Sequence, residues 1–150
     1  MLRRAAEART EIGLEAKRLM DEGQLVPDEV MCGLVRERVA EPDVVESGFL
    51  LDGFPRTLRQ AKDLMDIIGP DGIDLALNLE VSEHEVKRRM LERGRDDDTP
   101  EVIQHRLQLY LEETVPAIDW FEDLGVLVTV PAEGTEDEVT SRLVAAIDAR

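Results

Sequence analysis

Three short, predominantly apolar runs, 49–51, 75–81 and 126–130, alternate along this chain with longer segments whose apolar residues recur at helical spacing. Each run is too short for a helix and is bounded by turn-forming or polar residues, so each reads as a strand. Strands that alternate with helices form a parallel sheet with helices across its faces, which confines the chain to the α/β class. The helical segments are legible from their period and their ends. Ile12, Ala16, Leu19 and Met20 recur from 10 to 22, and Gly23 closes that segment. Pro27, Asp28 and Glu29 open a second, whose apolar face runs through Val30, Leu34, Val35 and Val39 to about residue 40. A third covers 58–68 and stops at Gly69, Pro70 and Gly72. Ser82 with Glu85 predicts a capping box for a helix running to Arg93, and Thr135 with Glu138 predicts another for a last helix ending near Arg150. Between them a long helix from 101 to about 124 carries Ile103, Leu107, Tyr110, Leu111 and Trp120, and Pro116 must kink or split it.

At 150 residues and 43% hydrophobic content the chain is long enough for one domain, 1–150, with a core of its own. No apolar stretch approaches the roughly 20 residues that a membrane-spanning helix needs. The start, with Arg3 and Arg4, runs into Glu7, Arg9 and Glu11 without the apolar centre of a secretory signal. A net charge of -16 argues against nucleic acid and against anionic lipid as partners, because both demand a basic surface. An anionic ligand must therefore find a local positive pocket. Of the 18 cationic residues only Lys17, Lys62 and Lys87 are lysines, and arginine is the side chain that forks onto phosphate. A GC-rich genome or a salt-adapted proteome gives the same bias. The single cysteine, Cys32, has no partner for an internal disulfide and no ligand neighbours at metal spacing, so it reads as a small buried hydrophobe in a reducing cytosol.

In a parallel α/β sheet ligands bind at the carboxyl ends of the strands, where Asp52-Gly53-Phe54-Pro55-Arg56 falls. Gly53 lets a ligand approach the backbone, Pro55 stiffens the loop, and Arg56 can grip a phosphate. A plain turn with a surface arginine accounts for this short run, taken alone, equally well. Arg89, Arg93 and Arg95 crowd around the polar break 94–100, with Arg106 on the following helix. Arg89 and Arg93 share a helix face and repel unless an anion such as polyphosphate lies between them or carboxylates intervene. Glu92 and the run Asp96-Asp97-Asp98 are the carboxylates at hand. Three consecutive acids cannot all face one ion, and the loop lacks EF-hand spacing.

Taken together, these pieces resemble adenylate kinase over essentially the whole chain. Gly48-Phe49-Leu50-Leu51-Asp52-Gly53-Phe54-Pro55-Arg56-Thr57 with Gln60 matches that family's signature run nearly letter for letter. Met1-Leu2-Arg3 with Glu11-Ile12-Gly13, and Gly23 to Asp28, are similar to the limits of its nucleoside-monophosphate-binding segment, about 1–27. Gly94 to Thr99, Arg106, Leu107 and Tyr110 resemble its short-lid form, the lid being about 92–98, and Glu133-Gly134-Thr135 resembles the loop that meets the ATP base. The resemblance implies a P-loop-kinase-like parallel sheet flanked by helices, with the first two strands missing, a helical AMP-binding segment and a short lid.

The resemblance gives Arg3 and Arg56 to the AMP phosphate and Gln60 to the adenine edge, with Gln24, Leu25, Val26, Gly53, Phe54 and Pro55 lining the AMP site. Arg89 lies against the ATP adenine, near Gly134. Arg93, Arg95 and Arg106 close on the phosphates, Arg95 and Arg106 reaching AMP as well. Asp52 meets magnesium through water, and Asp97 helps hold the lid arginines. Arg56, Arg93, Arg95 and Arg106 are thus the expected catalytic set, with Mg2+ and ATP as the cofactor pair and ATP, AMP and ADP as the only partners of a cytoplasmic monomer. Phosphoryl transfer rests on positioning and electrostatic stabilisation, which suits this residue set. Lid closure, for which adenylate kinases are a standard example, keeps water from the transferring group.

The family also places a strand, a G-x-x-x-x-G-K-S/T loop, a helix and a second strand ahead of the segment that begins here at Met1, and the 150 residues contain no such loop. The loop cradles the ATP phosphates. Its absence leads to the expectation of a chain started at an internal Met, marginal in stability because a central strand between 49–51 and 75–81 is missing, and weak or inactive alone. A UMP or CMP kinase, a non-catalytic AMP-binding protein and a ligand-free remnant remain alternatives, Gln60 favouring adenine.

Overall fold

The computed structural model describes residues 10–21, 26–94 and 99–150. The chain forms two compact units, Met1–Pro55 with Arg59–Gly72, and Arg56–Leu58 with Ile73–Arg150.

The first unit is helical: α1 (Glu11–Asp21), α2 (Asp28–Val39), α3 (Pro42–Ser47) and α4 (Leu58–Ile68). Thr10 Oγ1 accepts from the Gly13 N–H at 3.0 Å and so starts α1. The Pro27 carbonyl receives the Val30 and Met31 N–H groups, both at 3.1 Å, and so starts α2. The two helices meet at a bare backbone, since a Cβ on Gly33 would stand 2.8 Å from Ile12 Cδ1. There Ile12 and Val26 pack against Val30 and Leu34. Leu34, Val35, Val44, Ala61 and Leu64 are buried. The sequence pattern assigns no element to 42–47, yet α3 carries ordinary signals: Pro42 in its first turn, Val44 buried, and Gly48 at φ +79° beyond its end. Arg38 forks onto Asp43 at 2.9 and 2.8 Å across the α2–α3 corner. That bond holds the Asp43 carboxyl below its usual range. The expected strand at 49–51 is not a strand. A run of this kind is fixed by ladder bonds to neighbours, and the only sheet among the described residues joins two other segments. Leu50 is accordingly 83% exposed.

The second unit runs β1 (Ala76–Glu80), α5 (Glu83–Arg93), α6 (Pro100–Leu109), a π-helical turn (Tyr110–Thr114), α7 (Val115–Asp123), β2 (Leu127–Pro131) and α8 (Glu136–Asp148). β1 and β2 pair in parallel, Ala76 opposite Leu127 through to Glu80 opposite Pro131, so the sheet type expected from the alternation is observed. Ile103, Ala117, Phe121, Val130 and Ala132 are buried. Pro116 disturbs the long helix without splitting it, since 100–123 stays helical throughout. Lacking an N–H, it cannot serve the carbonyl four residues back, and the turn just before it widens to π geometry. The capping box at 135 and 138 is complete: the Thr135 N–H meets Glu138 Oε2 at 2.8 Å and the Glu138 N–H meets Thr135 Oγ1 at 3.3 Å. The one expected at 82 and 85 does not form. Ser82 makes no side-chain cap, its N–H donates to Glu133 Oε1 at 3.3 Å, and Glu85 is drawn to two arginines.

Candidate functional site

In the first unit the signature loop is shaped by two features. Gly53 takes φ +74°, a left-handed conformation that other residues resist, and Phe54 is buried while Asp52 beside it stays exposed. The loop thus turns sharply over a side chain anchored in the core, with Pro55 following through a cis peptide. Gln60, one turn into α4, is the one buried polar residue found among the described positions. Its Nε2 donates to Asp28 Oδ1 at 2.6 Å. On either side, Arg59 Nη2 meets Glu29 Oε1 at 2.6 Å and Cys32 Sγ meets Asp63 Oδ2 at 3.6 Å, so the opening halves of α2 and α4 are stitched in register. Burial, and then the Asp63 charge, push the Cys32 thiol up to about 11, in keeping with an inert buried cysteine.

In the second unit Arg89 is brought to the loop that carries Gly134. Its Nη2 donates to the Ala132 carbonyl at 2.9 Å, and its Nε is held by Glu85 Oε1 at 2.6 Å. Arg142 Nη1 takes the carbonyls on either side, Pro131 at 2.8 Å and Glu133 at 2.7 Å. Two guanidiniums thereby hold three successive carbonyls, and Gly134 at φ +112° lets the chain turn into α8. Glu85 also binds Arg88, and Arg88 with Arg89 holds the Glu85 carboxyl down to about 2. Of the two ways to relieve crowding at this helix end, carboxylates therefore serve Arg89. Hydrogen bonding from Ser82 lowers Glu133 below its usual range too.

Arg56 leads into α4, and its carbonyl accepts from Thr114 Oγ1 at 2.8 Å, so the π turn before Pro116 fixes the backbone of the signature arginine. Arg93 is the last residue of α5, before Gly94 in the left-handed conformation, and Arg106 lies half-buried in the last turn of α6. Val26 packs in the α1–α2 core. Arg3, Gln24, Leu25, Arg95 and Asp97 lie outside the described residues, as do 1–9 and 22–25 of the segment 1–27 and positions 95–98 of the lid. Sequence reasoning passed over Asp28, Thr114 and Arg142. The first was assigned to helix initiation, and the other two act on residues 58 and about 10 positions away, beyond any local pattern.

Among the described residues no group of three or more His, Cys, Asp or Glu side chains is placed to hold a metal ion. Asp52 stands as a single exposed carboxylate at the start of the signature loop. No helix among the described residues is long and apolar enough to cross a membrane.

With its small parallel sheet flanked by helices the chain is an α/β protein. The family profile described as Adenylate kinase matches residues 1–126. An adenylate kinase from Mycolicibacterium paratuberculosis is 46% identical over 149 residues, 98% of this chain and 81% of that protein. One from Thermobifida fusca is 45% identical over 147 residues, 94% of this chain and 77% of that protein. One from Leptospira biflexa is 40% identical over 153 aligned positions, 98% of this chain and 82% of that protein. The chain belongs to the adenylate kinase family.

Proposed function

We propose that the chain serves phosphoryl transfer between ATP and AMP to give two ADP, and that it carries the AMP side of that reaction together with the arginines that bear on the transferring phosphate. The observation that supports this most is the run 48–57, with Gly53 turned left-handed over the buried Phe54 and Gln60 buried a turn further on. In this reading Arg3 and Arg56 bind the AMP phosphate, Gln60 pairs with the adenine edge, and Gln24, Leu25, Val26, Gly53, Phe54 and Pro55 line base and ribose. Arg89 and the Gly134 loop meet the ATP base. Arg93, Arg95 and Arg106 stabilise the charge of the transferring group, where one well-placed arginine is worth about 10³ to 10⁵ in rate. Magnesium, carried in with ATP, would neutralise phosphate charge, and Asp52 would orient one of its waters. The segment 1–27 is the monophosphate-binding part and 92–98 the lid of a single kinase domain, acting as a cytoplasmic monomer on small nucleotides alone.

The 150 residues contain no G-x-x-x-x-G-K-S/T run, so by themselves they are proposed to bind AMP and to turn over weakly or not at all. ADP formation from ATP, AMP and magnesium tests this, using the 150-residue chain, the chain fused behind a strand–loop–helix segment bearing such a run, and an Arg56→Ala version of the fusion. The proposal expects turnover only from the fusion, abolished by Arg56→Ala. Equal turnover by the short chain would overturn the second part, and an inactive, folded fusion that also fails to bind AMP would overturn the first.

A further inference from the structure

We infer that Asp28 is a positioning residue that fixes which end of the Gln60 amide donates, and so sets the preference for adenine over a purine with the opposite edge. This rests on the reading of Gln60 as the residue that pairs with the base. Gln60 is buried and its Nε2 stands 2.6 Å from Asp28 Oδ1. An ionised carboxylate has no hydrogen to give, so it pairs only with the NH2 end of an amide, and the charge makes that bond strong. A flipped Gln60 would turn its oxygen onto the carboxylate and lose the bond. The carboxylate cannot swing away cheaply, because Asp28 opens α2 and the neighbouring Arg59–Glu29 and Cys32–Asp63 contacts hold α2 and α4 in register.

An amide with a fixed sense discriminates between bases. Adenine offers a donor at N6 and an acceptor at N1, which match the amide oxygen and the second N–H of Nε2. Hypoxanthine, the base of IMP, offers an acceptor at position 6 and a donor at N1, and needs the amide flipped. Asparagine at position 28 accepts or donates, so it permits both senses. The recognition of adenine is therefore shared between a residue that touches the base and one that does not.

Calorimetric titration of the 150-residue chain with AMP and with IMP tests this. The wild-type chain is expected to favour AMP, and Asp28→Asn to lower the AMP-to-IMP affinity ratio about tenfold, the scale of one charged hydrogen bond. Asp28→Glu, which keeps an acceptor-only group, is expected to retain more of the ratio than Asp28→Asn. In a Gln60→Leu background Asp28→Asn is expected to leave the ratio unchanged. A wild-type chain that binds AMP alongside a folded Asp28→Asn variant with the wild-type ratio would overturn the role of Asp28 while leaving the AMP site standing. The same holds if the ratio shifts equally in the Gln60→Leu background. If Asp28→Asn does not fold, the inference is overturned when Asp28→Glu shows no preference or when Gln60→Leu keeps the wild-type ratio. A folded wild-type chain that binds neither nucleotide would overturn the AMP site, and this inference with it.

Discussion

At Gly134 the backbone sits at φ +112°, and a Cβ there would lie 2.5 Å from Glu138 Oε2, the oxygen that closes the α8 capping box. Gly134→Ala meets both obstacles, and is expected to lose roughly 1–3 kcal/mol in urea unfolding. An unchanged midpoint would mean that the loop relaxes freely. Cys32 carries a second expectation. With its thiol pushed up to about 11 from 9.0 by burial and then Asp63, it holds roughly a hundredfold less thiolate at pH 8 than an unperturbed thiol. Iodoacetamide should label the folded chain correspondingly slowly and the urea-unfolded chain at the ordinary rate. Glu85 titrates in the opposite sense. Its folded value near 2 lies below the ordinary 4.5, so between those values the unfolded chain binds more protons. The stabilisation it brings is complete above about pH 4.5 and is lost as pH falls through about 2. Carboxyl NMR should place its midpoint near 2, whereas a midpoint near 4.5 would show that Arg88 and Arg89 do not hold it.

At the scale of elements, the two predicted capping boxes separate what a local pattern decides from what it does not. Thr135 and Glu138 close as their spacing implies, each oxygen taking the other's N–H. Thr135→Ala should therefore cost about 1 kcal/mol in thermal unfolding. Ser82 and Glu85 have the same spacing, but Arg88 and Arg89 lie on the same carboxylate and Glu133 reaches the Ser82 N–H from 51 residues away. The parallel sense of the sheet was legible because strands alternate with helices, while which strands pair, 76–80 with 127–131, was not. That Pro116 would disturb the helix was legible because proline lacks an N–H, though not that the disturbance would be a π turn in an otherwise unbroken helix. The short helix at 42–47 carried a proline and a glycine in the right places, and its few residues hid its period. The run 49–51 failed as a strand for a non-local reason, since apolar character supplies burial but hydrogen-bonding neighbours make a ladder.

For the molecule as a whole, the residues proposed for the site were named from the chain, because Asp52 to Arg56 and Gln60 fall within nine positions and Arg89, Arg93, Arg95 and Arg106 surround one polar break. What could not be read are the supports, which come from distant segments: Asp28 beneath Gln60, Thr114 on the Arg56 carbonyl, and Arg142 with Arg89 on the loop before Gly134. The central claim is an adenine-specific monophosphate site built on that signature. Equilibrium binding of AMP, UMP and CMP to the 150-residue chain and to its Arg56→Ala variant tests it most directly. The account predicts saturable AMP binding, weaker UMP and CMP binding, and at least a roughly tenfold loss of AMP affinity in Arg56→Ala, as expected for a charged hydrogen bond to phosphate. A folded chain that binds AMP no better than the pyrimidine nucleotides, or an Arg56→Ala variant that binds AMP as tightly as wild type, would contradict it.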